Sequence, residues 1–181
     1  VLELALKEHQ LPSFIQWLHS QRCGFDSLRL TAGSSSPQLS EQLLQALAGR
    51  RLTSAAIRWE GPFVLCGPGE AQLPPQLQEL SIVAHSFDVR ASLSQLTTLT
   101  ALTLEHPWAK SAALTLCPGW LPASLAGLVL EGLCCNPFQQ GGQFPPCLQD
   151  LRLDFTCITK AAGAEVLADA EATTATAREA L

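Results

Sequence analysis

Catalysis needs a nucleophile, a base and a hydrogen-bond donor brought within reach of one another, and the side chains able to fill those roles are thinly spread in this sequence. The histidines stand at His9, His19, His85 and His106, none beside a nucleophile or carboxylate at a spacing that would make a proton relay. No G-x-S-x-G elbow, H-E-x-x-H helix or Walker loop is present. The cysteines, Cys23, Cys66, Cys117, Cys134, Cys135, Cys147 and Cys157, include no C-x-x-C pair to hold one side of a tetrahedral zinc. Gly67 and Gly69 flank Pro68, but a phosphate-cradling loop works because a helix N-terminus follows it, and here Pro74 and Pro75 follow instead. The expectation is a chain that is no enzyme and holds no metal or cofactor, with Cys134, Cys135, Cys147 and Cys157 as small buried fillers.

Charge narrows the partners. The formal net charge is −5 and no Lys/Arg cluster occurs, so the chain collects no counterion-release energy from phosphates. Neither nucleic acid nor an anionic membrane is an expected partner. The uncharged run 111–130 has the length of a membrane span, yet it contains Pro118, Gly119 and Pro122 and reads as a buried strand with its loop. Seven cysteines make an odd count, and the sole Asn, Asn136, precedes Pro137 and so offers no glycosylation acceptor. Both point to a reducing, cytoplasmic setting, with cytoskeletal or ciliary association among the options. The absence of Met fits a processed chain, an excised domain or an internal piece.

What the sequence repeats is a phrase, L-x-x-L-x-L. It stands at Leu77, Leu80 and Ile82; at Leu99, Leu102 and Leu104; at Leu125, Leu128 and Leu130; and at Leu148, Leu151 and Leu153. Its second Leu falls at 80, 102, 128 and 151, in steps of 22, 26 and 23. An apolar-Pro pair leads in three copies: Leu73-Pro74, Leu121-Pro122 and Phe144-Pro145. Two weaker copies precede them, Phe25, Leu28 and Leu30, then Ala55, Ile57 and Trp59 with Ser54 in the first position. A short strand with two inward apolar residues cannot bury its face alone and must stack on copies of itself.

The phrase and its spacing resemble the leucine-rich repeat family, in its irregular plant or algal form, whose units run roughly 20–29 residues. The resemblance implies an α/β fold: a right-handed curved solenoid of about six repeats, with a parallel sheet on the concave side and short helices and irregular loops on the convex side. Strands are expected near residues 27–31, 56–60, 79–83, 101–105, 127–131 and 150–154. The family's Asn ladder position holds His85, Pro107, Leu133 and Thr156 here, so that ladder is missing or replaced. Residues 1–24 read as an N-terminal helical cap, 25–158 as the solenoid and 159–181 as a C-terminal cap helix or linker. Within the cap, Val1 to Gln10 reads as helical, and Ser13 with Gln16 as a capping box opening a helix that buries Phe14, Trp17 and Leu18. Ser36 and Pro37 open a further helix carrying Leu39, Leu43, Leu44 and Leu47, closed at Gly49.

Alternation along each strand sends the third, fifth and seventh phrase positions to the open side. The fifth positions are Arg29, Arg58, Ser81, Thr103, Val129 and Arg152, and the seventh are Thr31, Glu60, Val83, Glu105, Glu131 and Asp154. An acidic column thus runs beside a small neutral centre. The expected partner-binding residues are Arg58, Glu60, Thr103, Glu105, Val129, Glu131, Arg152 and Asp154. The resemblance implies a non-catalytic interaction scaffold, the recognition module of a longer intracellular protein, and the acidic column suits a net basic protein partner. The alternative is a structural or regulatory repeat segment attached to a kinase, phosphatase or ubiquitin-ligase component outside this chain.

Overall fold

The computed structural model describes residues 1–20, 24–65, 73–89, 92–106, 119–132 and 144–154. In each strand, period-two alternation turns one set of side chains onto a shared core. The strands are β1 (Leu2–Leu6), β2 (Ser27–Ala32), β3 (Ser54–Leu65), β4 (Glu79–Val89), β5 (Ala101–Glu105), β6 (Gly127–Glu131) and β7 (Asp150–Leu153). They form one seven-stranded parallel sheet in chain order. Among the described residues, the helices α1 (Leu11–Ser20) and α2 (Pro37–Ala48) and a 3-10 turn at Glu8–Gln10 complete an α/β architecture.

Register aligns the inward apolar residues in rows. One row runs Leu2, Leu28, Ala55, Leu80, Leu102, Leu128 and Leu151, and the next runs Leu4, Leu30, Ile57, Ile82, Leu104, Leu130 and Leu153. Both rows are buried from β2 to β6 and half-buried at β1 and β7, which lack a second neighbour among the described residues. Each fully buried Leu or Ile contributes about 1.5–3 kcal/mol.

The structure corrects the N-terminal reading. Val1 to Gln10 is not helical; its core is strand β1, followed by the 3-10 turn. Helical spacing groups Leu2, Ala5 and Leu6 but leaves Leu4 without a role. Period-two alternation buries Leu2, Leu4 and Leu6 together against β2, and that gain decides the conformation. Among the described residues the sheet therefore has seven strands, not six. The second weak copy also starts elsewhere: Leu52, fully buried, is its first apolar residue, giving Leu52, Ala55 and Ile57. Trp59 then lies opposite Ala32 on one side and Ala84 on the other, where small neighbours leave room for an indole. β3 and β4 also run further than expected, pairing again from Pro62 and Ser86 to Leu65 and Val89 after an irregularity between Trp59 and Pro62.

α1 buries Leu11, Phe14, Ile15 and Leu18, one face at helical spacing. Trp17, expected on that face, is 40% exposed and instead stacks on Phe14 with ring centroids 5.7 Å apart. Ser13 lies inside the helix rather than at its cap. α2 starts at Pro37, after Ser36 in an extended conformation, and buries Leu43, Leu44 and Leu47. The Ser36 hydroxyl donates to Gln38 Oε1 rather than capping the backbone. Buried Ser40 fastens α2 to the sheet: its hydroxyl donates to the Pro37 carbonyl (2.7 Å) and accepts from the Val64 N–H of β3 (3.1 Å).

Candidate functional site

The open sheet face is only as well defined as the backbone that spaces its strands. Each apolar-Pro lead makes a tight turn in which the first Leu of the phrase donates its N–H three residues back. Leu77 bonds the Pro74 carbonyl (3.0 Å), Leu125 that of Pro122 (3.2 Å) and Leu148 that of Pro145 (3.1 Å); in the β5 unit Leu96 takes the proline's place (3.0 Å). A backbone ladder runs along the strand entrances. The carbonyls of Asp26, Thr53, Gln78, Thr100 and Ala126 each accept two successive N–H groups of the next unit, at 2.8–3.1 Å. The Thr98 and Ser124 hydroxyls add bonds to the Leu77 carbonyl (2.9 Å) and the Leu99 carbonyl (2.8 Å). His85 is exposed on β4, and the other three ladder positions, Pro107, Leu133 and Thr156, lie outside the described residues.

On this frame the outward residues form columns. One runs Glu3, Arg29, Ala56, Ser81, Thr103, Val129 and Arg152. Its neighbour runs Ala5, Thr31, Arg58, Val83, Glu105 and Glu131, with Asp154 following just past β7. Because Leu52 sets the frame of β3, Arg58 belongs with Glu105 and Glu131, two residues along from its expected column. Glu60 lies further towards the strand's end, against Gly33, where a Cβ would meet the Glu60 Cβ at 2.8 Å. Thr103, Glu105, Val129, Glu131, Arg152 and Asp154 are thus brought together on β5 to β7. Arg58 stands apart across Val83, and Glu60 is outside the patch.

Arg152 Nη2 lies 3.1 Å from Glu131 Oε1, but Arg152 is 69% exposed, so the pair contributes about 1 kcal/mol at most. The Asp154 N–H donates to the Leu130 carbonyl (2.9 Å), which holds the start of the following segment on β6. The patch offers charge at fixed spacing rather than an acid–base pair or a nucleophile. No cluster of three or more His, Cys, Asp or Glu that would suit a metal occurs among the described residues.

Among the described residues the buried titratable group is His106. It directly follows β5, next to Gly132 across the strand pair, and is 7% exposed with neither ring nitrogen hydrogen-bonded. Its backbone N–H donates to the Glu131 carbonyl (2.9 Å). Burial is the largest cause lowering its pKa below the usual 6.5, and the charge of His85 acts in the same direction. Gly132 has φ +75°, and a Cβ there would come within 2.1 Å of the His106 carbonyl oxygen, so only glycine fits. The stretch G-L-V-L-E-G from Gly127 to Gly132 carried no hint of this, because the constraint comes from a neighbouring backbone.

Cys147 is exposed rather than a buried filler, since it occupies the turn position held by Thr98 and Ser124 in the preceding units. The other six cysteines, the turn at 67–69 and the segment 159–181 lie outside the described residues. Among the described residues, no helix is long and apolar enough to cross a membrane. Comparisons with models of known protein families, with curated proteins and with solved structures find no match for this chain.

Proposed function

We propose that the chain is a solenoid of the leucine-rich-repeat kind and works as a non-catalytic protein-interaction module, holding a net basic partner segment across the open, concave face of its sheet. The observation that carries this reading is the register: Thr103, Glu105, Val129, Glu131 and Arg152 stand in contiguous columns on three neighbouring strands. Side chains spaced by a sheet, about 4.8 Å from strand to strand, need little ordering when a partner arrives. Glu79, Glu105, Glu131, Asp150 and Asp154 outnumber Arg152 on β4 to β7 and the residue that follows, which selects a basic segment and speeds its encounter. Arg58 at the far side gives that segment a direction.

The test is capture from native extract on wild-type protein, on Glu105→Lys plus Glu131→Lys, and on Gln42→Lys plus Gln45→Lys on the exposed face of α2. Loss of captured proteins on the first variant alone, and weakening by salt, is the expected result. Equal capture by all three proteins would make these repeats a spacer for a neighbouring domain.

A further inference from the structure

The acidic residues of β5 and β6 share their backbone with a buried group that the open face does not use. A third inward row runs through Ala32, Trp59 and Ala84, and the same register carries it on to His106 and Gly132 at the exits of β5 and β6. His106 is buried there with both ring nitrogens unpaired. Trp59 Nε1, in the same row, is also buried without a partner, but an indole takes up no proton near neutral pH. Small neighbours make room for the imidazole: Ala84 on one strand and, on the other, Gly132, where a Cβ would stand 3.1 Å from the His106 Cβ. We infer that His106 is an acid-sensitive latch on the open face. Neutral, it locks the exits of β5 and β6 with Glu105 and Glu131 in their column; protonated, it leaves the core and releases a bound basic partner.

Burial sets the direction of the switch. An imidazolium brings two N–H donors and a charge into a row of small and apolar side chains, where charge without an acceptor is the costlier state. The backbone carbonyls of His85 and His106 favour the charged ring, but no ring nitrogen is hydrogen-bonded to them, and burial outweighs them. The titratable and charged groups beside His106 by register are His85 at the exit of β4, Glu105 before it on β5, and Glu131 on β6, itself paired with Arg152. His85, when charged, repels the imidazolium. Alternation turns the two carboxylates to the open side, away from the buried ring.

The backbone couples the ring to the face. His106 follows Glu105 directly and its N–H donates to the Glu131 carbonyl (2.9 Å), so a ring that turns out of the core breaks that bond and moves Glu105 out of line with Glu131. It also brings a cation beside both carboxylates, where it competes with a basic partner for them. Each unit of pH below the ordinary histidine range raises the protonated, open form about tenfold against the neutral, closed one. This inference rests on reading the open face as a site for a basic partner and names its regulation.

Decalysine serves as the basic probe, titrated calorimetrically into the full chain at about 50 mM salt and at pH values of about 7.5 and 5.5. Wild type is expected to bind about tenfold more weakly at the lower pH. His106→Gln and His106→Leu, which take up no proton, should match wild type at the higher pH and lose less than about twofold at the lower, while His85→Gln should keep the wild-type loss. Amide exchange, corrected for its intrinsic rate, reads the latch itself. On acidification, protection of the amide at position 106 should fall about tenfold against that of Leu102 and Leu128 in wild type, and should hold in both His106 variants. Thermal melts at the higher pH show that each variant folds. Equal loss of binding in wild type and both His106 variants, or unchanged exchange at position 106, would overturn the latch and leave the proposed function standing. Failure of decalysine to bind at the higher pH, together with normal capture by Glu105→Lys plus Glu131→Lys, would overturn the face and the latch together.

Discussion

Behind β1 to β3 the sheet is covered by helices, with α2 packed on β3 and α1 packed on α2. Behind the entrances of β4 to β7 the described chain makes short turns led by Pro74, Leu96, Pro122 and Pro145. Yet both regions carry the same strands at the same register. The first region is held by apolar side chains, Phe14, Leu18, Leu43, Leu44 and Leu47, which need a long helix to present them. In the second, backbone hydrogen bonds and the hydroxyls of Thr98 and Ser124 space the units at the strand entrances. What the two share is the inward rows, and these specify the fold.

Substitutions that strike the shared rows should do the most damage. Leu128→Asp places a carboxylate between two strands with no partner, a cost of about 4 kcal/mol or more, and should abolish the cooperative thermal melt followed by circular dichroism. Leu44→Ala tests the helix-backed half and should cost about 3 kcal/mol in denaturant unfolding through the cavity it leaves. Gly132→Ala tests the other half, where the new Cβ meets the His106 carbonyl; a loss of about 2 kcal/mol in the same assay combines steric conflict with left-handed strain. Ser124→Ala removes one hydroxyl bond between units and should cost about 1 kcal/mol, with no comparable hydroxyl to remove between α2 and β3 except Ser40. If Leu44→Ala were neutral while Ser124→Ala unfolded the chain, the contrast between the two halves would be the reverse of the one drawn here.

The smallest expected effect is a pH dependence confined to the turn-backed half. Because burial lowers the His106 pKa, the unfolded chain takes up the proton first as pH falls through about 6.5. The folded state then binds fewer protons than the unfolded one, so stability declines below that pH until His106 itself is protonated. His106→Gln should flatten the decline in melts recorded between pH 7 and about pH 5; an unaltered slope would assign it to other groups.

How much of this was legible depended on how much each residue buries. Leu80, Leu102, Leu128 and Leu151 announce their strands because each position repays a large side chain with a large apolar area. Ala55 buries only a methyl group, so its copy of the phrase was read from Ser54, and Arg58 and Glu60 were placed two residues out of column. In β1 the stretch LELAL is too short for period two to outweigh a helical grouping by inspection. The outward faces of single strands were legible from alternation alone. Which outward residues become neighbours was not, since that depends on the frame of each strand against the next. The backbone ladder left no trace in the sequence, because its donors and acceptors are main-chain groups.

That ladder sets the terms on which such a chain can change its length. Its bonds run between main-chain groups, with the Thr53 and Thr100 hydroxyls only adding to them, so every junction from β2 to β7 offers the same set of backbone acceptors and requires the same set of backbone donors. A duplicated or deleted unit leaves the two ends of the cut able to join each other without a new adaptation at either. Growth by whole units is therefore cheap for this backbone, whereas gain or loss of a single residue inside a strand turns every outward side chain beyond it to the wrong side.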